Sequence, residues 1–173
     1  MGSQRRLHWW TTALVSAAFP LGWLMIGVPL RALLLKFLLY QLHKTLGLLI
    51  LGLTLVRLLI RARRGRPEWD EGLPHWQRRI AGSMHGLLYA LLLATPVLGY
   101  LCAATAPARV PTLFFGVIPV PHLVGPDPGW FPALRLLHRG FAVTLAFVGC
   151  GHAMAAVHNH RRGRRSLAMM WQG

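Results

Sequence analysis

Negative charge is nearly missing from this chain. Four acidic residues occur in 173, against 19 Lys and Arg, and charged residues make up only 13%. A soluble domain carries about 25%. That shortage, together with 54% hydrophobic residues, excludes an ordinary soluble globule and a disordered chain. Cysteine is scarce too. Cys102 and Cys150 are the full set, too few for a disulfide-built secreted module. No Cys-x-x-Cys-His run occurs, so covalent c-type haem is not indicated. A small integral membrane protein remains. A net charge of +15 in a soluble chain would point to nucleic acid. In a membrane protein the basic residues first report topology, and no nucleic-acid partner is expected.

Four apolar runs stand out: Leu7–Val28, Phe37–Ile60, Ile80–Ala106 and Ala133–Val157. Each reaches the roughly 20 residues a helix needs to cross about 30 Å of hydrocarbon. None alternates strictly, so helices and not barrel strands are expected. The expected architecture is all-α: one domain over residues 1–173, an up-down bundle of four membrane helices. Pro20 and Pro96 lie inside spans, where proline kinks a helix. The first run also has features of a signal peptide, with Arg5-Arg6 before it and Ser16-Ala17-Ala18 as a cleavage site. Cleavage there would leave three spans and an idle His8.

Flanking Lys and Arg set the orientation. One side collects Arg5, Arg6, Arg61, Arg63, Arg64, Arg66, Arg78, Arg79, Arg161, Arg162, Arg164 and Arg165, which is 12. The other collects Arg31, Lys36, Lys44, Arg109, Arg135 and Arg139, which is 6. Both termini and the 61–79 connection are therefore expected in the cytoplasm. The 107–132 connection is rich in Pro and aromatics, including Phe114, Phe115, Trp130 and Phe131. It is expected to fold over the outer end of the bundle. Cys102 falls near that end and Cys150 nearer mid-membrane, so no disulfide is expected.

Histidine is abundant, with nine in all. His8, His43, His85, His138 and His152 lie in or at the edge of spans. One intramembrane His is commonly a helix–helix hydrogen bond; five are harder to explain that way. His138 and His152 are 14 residues apart, which is about 21 Å of rise and about four turns. They share a face at two levels. His43 belongs to the outer level with His138, and His8 to the inner level with His152. Paired imidazoles across a helical bundle suit b-type haem with two axial His ligands. Gly47, Gly52, Gly140, Gly149 and Gly151 lie near these positions and leave room for a porphyrin, although glycine also promotes helix contact without one. Zinc or copper sites usually add Cys or carboxylates, and the spans hold no acid. A His-lined proton path is a further alternative. Arg57 repeats the 14-residue spacing from His43. Two readings of it stand: a pair with a haem propionate, or snorkelling to the interface.

These residues resemble the bacterial cytochrome b561 family of four-helix, di-haem membrane cytochromes. The matching pieces are Leu7-His8-Trp9; His43, Gly47 and Val56-Arg57-Leu58-Leu59; Arg78-Arg79-Ile80-Ala81 with His85, Tyr89, Pro96 and Gly99; and His138, His152 and Ala155-Ala156. Together they cover nearly the whole chain. The resemblance implies a bacterial inner-membrane protein with two haem b. His43 and His138 would hold the outer iron and His8 and His152 the inner one. It also implies ubiquinone near the inner haem. His85 is a candidate quinone donor, or an inner ligand in place of His8. Relatives commonly carry His after the Ala-Ala step. Here the run is Val157-His158-Asn159-His160, so Asn159 stands where a quinone contact is expected. Arg78 and Arg79 suit either head groups or phospholipid.

The resemblance implies two candidate roles. One branch of the family oxidises superoxide outside and reduces ubiquinone. Lys44 and Arg139 each follow a proposed outer ligand, and Arg135 lies one turn away, with Asp127 the single outer acid. Such a field would steer a small anion; the plainer reading anchors helix ends in phospholipid. The second role is an electron-conduit subunit docked to a partner, a periplasmic dehydrogenase or hydrogenase. A non-haem transporter or channel is a third, weaker reading.

Overall fold

The computed structural model describes residues 2–65 and 74–162. Arg66, Arg164 and Arg165, counted above for topology, lie outside the described residues. Four long helices account for most of the chain: α1 (Gly2–Gly27), α2 (Leu33–Arg64), α3 (His75–Thr105) and α4 (Trp130–Arg161). All four are long and apolar enough to cross a membrane. A single 3-10 turn, Leu30–Ala32, links α1 to α2. Below, "outer" denotes the end holding the α3–α4 connection, and "inner" the end where α1 begins and α4 finishes.

The helices outrun the hydropathy boundaries. α2 continues through Arg61, Arg63 and Arg64, and α4 begins at Trp130. Charge ends an apolar run but not a hydrogen-bonded helix. Pro20 and Pro96 each lie inside one continuous helix.

Few side chains are buried, as expected of a bundle whose solvent is lipid. The core is Ala18, Ile50, Leu91, Leu92 and Leu145, with Leu14, Val15, Leu46, Leu88, Phe141 and Val148 packed on it. Every helix contributes, and on every helix these residues fall between the two histidine levels. An apolar layer therefore separates the levels. Exposed tryptophans occur towards both ends, with Trp9, Trp10 and Trp76 inner and Trp23 and Trp130 outer, where interfacial aromatics belong. Thr11, Thr54, Thr105 and Thr144 bond their hydroxyls to the carbonyl four residues back. Each hydroxyl is thereby satisfied within its own helix.

The α3–α4 connection contains structure the helical reading did not foresee. β1 (Thr112–Phe114) pairs antiparallel with β2 (Ile118–Val120), Leu113 facing Pro119. The turn between them has positive φ at Phe115 (52°) and Gly116 (76°), and Val117 N–H donates to Phe114 C=O at 3.2 Å. Phe114 faces Ile118, so Phe115–Val117 form a three-residue loop that holds both positive-φ positions. Glycine accepts positive φ freely, whereas Phe115 is strained there. At the end of this connection Asp127 caps α4, its carboxylate accepting from Gly129 and Trp130 N–H at 2.9 and 3.1 Å.

Candidate functional site

One spacing organises the bundle. His8 and Gly22 on α1, His43 and Arg57 on α2, His85 and Gly99 on α3, and His138 and His152 on α4 are all 14 residues apart. Each helix thus presents one residue of its pair at each level.

At the outer level the His43 and His138 rings lie with centroids 6.1 Å apart and planes at 80°. His43 Nδ1 donates to Ala18 C=O at 3.1 Å, and His138 Nδ1 to Thr95 C=O at 2.9 Å. A carbonyl oxygen only accepts, so both protons reside on Nδ1. Both Nε2 atoms keep a lone pair for a metal. Glycine admits the rings. A Cβ on Gly22 would lie 3.1 Å from His43 Cε1, and one on Gly99 2.8 Å from His138 Cε1. Gly99 is among the motif residues of the resemblance, whereas the glycines read from sequence as porphyrin space face open space. A Cβ at Gly47, Gly52, Gly140, Gly149 or Gly151 would meet nothing within 4 Å.

At the inner level His152 meets two rings. His8 is 6.3 Å away at 72°, and His85 is 5.3 Å away at 67°. Arg57 reaches the same level, its Nη2 3.5 Å from His8 Nδ1. Its guanidinium also lies 5.3 Å from the Tyr89 ring centre, and that of Arg61 5.4 Å. Tyr89 and Arg61 are site neighbours that reading by histidine alone missed. Their signal was spacing, since Tyr89 and Arg61 each stand one turn from His85 and Arg57.

These pairs can be tested against a haem iron. An imidazole nitrogen binds a metal at about 2.0 Å, so two rings that would share one iron need centres roughly 6 Å apart. The His43–His138 and His8–His152 pairs match that spacing; His85–His152 is shorter. Thr95 Oγ1, beside the His138 anchor, is buried without a partner, as a polar atom bordering a cofactor site can be. Among the described residues, no group of three or more His, Cys, Asp or Glu is arranged to hold a metal ion. That leaves the zinc or copper alternative without a donor set, whereas a porphyrin needs only two axial ligands from protein. The residues present fit haem.

The other candidates are dispersed. Lys44 Nζ donates to Val110 and Pro111 C=O at 3.3 and 3.1 Å. Arg135 lies over Phe131 at 5.6 Å and Arg139 over Trp23 at 5.8 Å. Asn159 is half-buried on the last turns of α4, with His158 and His160 exposed beside it. Cys102 and Cys150 are free. His122, not singled out from sequence, holds Thr112 Oγ1 at 2.9 Å through Nε2 and lies 6.0 Å from the Tyr100 ring.

Four membrane helices carrying paired imidazoles at two depths define a membrane cytochrome of the b type. The family model described as prokaryotic cytochrome b561 matches residues 2–173, and the chain belongs to that family. It is 30% identical over 162 residues to cytochrome b561 homolog 1 of Escherichia coli (strain K12), covering 91% of this chain and 88% of that one. It is accordingly a multi-pass bacterial membrane protein that binds haem b and transfers electrons.

Proposed function

We propose that this cytochrome oxidises superoxide at its outer face and reduces ubiquinone at its inner level, with both termini in the cytoplasm. The observation that carries the reading is the two-level pairing of histidines, with the outer pair preset for ligation by its Nδ1 anchors. Haem b, when bound, supplies a one-electron carrier at each level. In this reading His43 and His138 hold the outer group and His8 and His152 the inner one. The overall reaction balances as two superoxide anions, one ubiquinone and two protons giving two dioxygen molecules and one ubiquinol.

The chain's residues have distinct parts in it. Lys44, Arg135 and Arg139, helped by Arg31, Lys36 and Arg109, attract the anion to the outer end. Asp127 opposes them little, because its carboxylate is engaged by the α4 N-terminus. Arg57 would hold a propionate of the inner group. His85 and Asn159 supply hydrogen bonds to quinone oxygens, and His85 is placed to pass a proton. Orientation is supported by the 12-to-6 split of basic residues.

Stopped-flow mixing of the purified holoprotein with superoxide and a quinone analogue tests this. Rapid b-type spectral reduction followed by quinol formation is expected. Absence of b-type reduction by superoxide would remove the substrate assignment, and a rate no faster than that of a variant stripped of the outer cations would remove their steering role. Protein without b-type Soret and alpha bands would remove the haem assignment.

A further inference from the structure

We propose that Val110–Val120 is a re-entrant hairpin whose tip, Phe115–Ile118, is immersed in the outer leaflet, with phospholipid as its partner. Depth is the first argument. The segment runs inward along α2. Gln41 Nε2 donates to Pro111 C=O at 2.8 Å, and Gln41 Oε1 accepts from Leu113 N–H at 2.9 Å. Four residues deeper, Thr45 Oγ1 accepts from Phe115 N–H at 3.0 Å. Thr45 lies past His43 and 12 residues into α2, about 18 Å along its axis. The turn that follows Phe115 is the far end of this descent. Along the same stretch of α2, outward of Thr45, Leu38 and Leu42 are exposed apolar side chains, part of the lipid-facing surface. The hairpin tip continues that surface.

Backbone satisfaction is the second argument. Non-helical backbone survives at membrane depth only where its polar groups are paired. The edge of β1 facing α2 has its donors and acceptors taken by Gln41 and Thr45, both only 3% exposed, and Leu113 C=O accepts from Gly116 N–H at 3.1 Å. The outward edge of β2 has had donors removed instead. Leu113 faces Pro119 and turns its own N–H away from the pair, so position 119 would turn a donor outward. Proline has none there or at Pro121. Pro121 C=O accepts from Tyr100 Oη at 2.9 Å. A water-facing loop has no need of such provision.

Side-chain chemistry is the third. No charged residue interrupts Val110–Val120, which lies between Arg109 and His122. At the tip Phe115 is 63%, Val117 75% and Ile118 56% exposed. Lys44, although deep, directs its ammonium to the Val110 and Pro111 carbonyls at the hairpin's outer end, as a snorkelling lysine does.

Nitroxide labels test the proposal on the full haem-loaded chain in phosphatidylethanolamine–phosphatidylglycerol liposomes, with Cys102 and Cys150 replaced by serine and alanine. Labels are placed singly at Val117, Ile118, Leu42 and Gly125, and haem content is checked for each. Collision rates with oxygen and with a water-soluble nickel chelate are compared. The Val117 and Ile118 labels should match Leu42, with a nickel-to-oxygen ratio several-fold below that of Gly125. A ratio equal to Gly125 puts the tip in water and overturns the proposal. Protection from both reagents means that protein covers the tip, a second copy included, and also overturns it. If one labelled variant loses haem, the other decides.

Discussion

At the outer level α1 and α3 present Gly22 and Gly99, and the imidazoles come from α2 and α4. At the inner level α1 and α3 present His8 and His85, α4 presents His152, and α2 presents Arg57. The outer imidazoles are fixed from behind. Each Nδ1 is held by a backbone carbonyl, and each ring fills the space of a missing Cβ. Inner rings lean on one another and on a guanidinium. Backbone anchors leave one ligand geometry. Side-chain partners leave room for rearrangement, which would suit the quinone reduction proposed for this level. The same 14-residue frame thus yields a rigid level and an adaptable one.

Removing ligands gives the largest expected effect. His138→Ala should take haem from two per chain to one, with the outer spectral component lost; His152→Ala should remove the inner component instead. Pyridine haemochrome counting against protein reads this directly. Loss of both groups in either variant would mean that the levels do not load separately. His8→Ala and His85→Ala sharpen the inner side. With His8 as ligand, only the first should lose haem, and the second should impair quinone reduction.

Next in size is the glycine backing. Gly99→Ala places a methyl 2.8 Å from His138 Cε1, and the ring cannot swing aside while Nδ1 stays on Thr95. Overpacking of this kind costs about 1–3 kcal/mol, here concentrated on outer-haem retention. Gly22→Ala, at 3.1 Å, should be milder. Gly149→Ala, with open space around it, should leave haem content and thermal midpoint unchanged. Equal effects at Gly99 and Gly149 would break the contrast between the levels.

The fold was legible because a bilayer restricts the choices. Four apolar runs without alternation admit little besides four helices, and His138 and His152 fix a common face by spacing alone. The outer site was half legible. His43 and His138 carried a signal and Gly99 appeared in the resemblance without a role, but Gly22 carried none, because nothing local distinguishes a glycine that backs a ring from one facing open space. The hairpin was hidden for a related reason. Its strands are three residues each, and what holds them is long-range: Gln41 reaches Pro111 and Leu113, and Thr45 reaches Phe115. Spacing set Tyr89 and Arg61 one turn from His85 and Arg57, but their contact with each other across α2 and α3 followed only from packing.

Charge at the outer end gives a smaller, kinetic effect. Lys44→Gln with Arg139→Gln should slow reduction by superoxide several-fold at low salt and flatten its ionic-strength dependence. Arg61→Gln, at the inner level, should leave that step alone. A superoxide rate insensitive to the outer pair would assign those cations to helix anchoring only.

The smallest effect expected concerns His122, which sits in the outer cap beyond the membrane-spanning segments. Burial first, and Lys44 second, hold its imidazole below the ordinary value of 6.5. The docked cap therefore favours the neutral ring, and an undocked cap binds the proton more tightly. By linkage, cap stability is fully present above about pH 6.5 and declines as pH falls from there through the lowered value. Amide exchange at Leu113 and Phe115, corrected for intrinsic rate, should rise a few-fold between pH 7 and 5. His122→Gln should flatten that rise, since Gln can still pair with Thr112 but does not titrate. Lys44→Gln should shrink it, because removing the repelling ammonium brings the docked value back toward the undocked one. An exchange profile flat in the parent protein would mean that His122 titrates without regard to docking. The outer end would then be as unresponsive to pH as its backbone-anchored ligands make it to side-chain rearrangement.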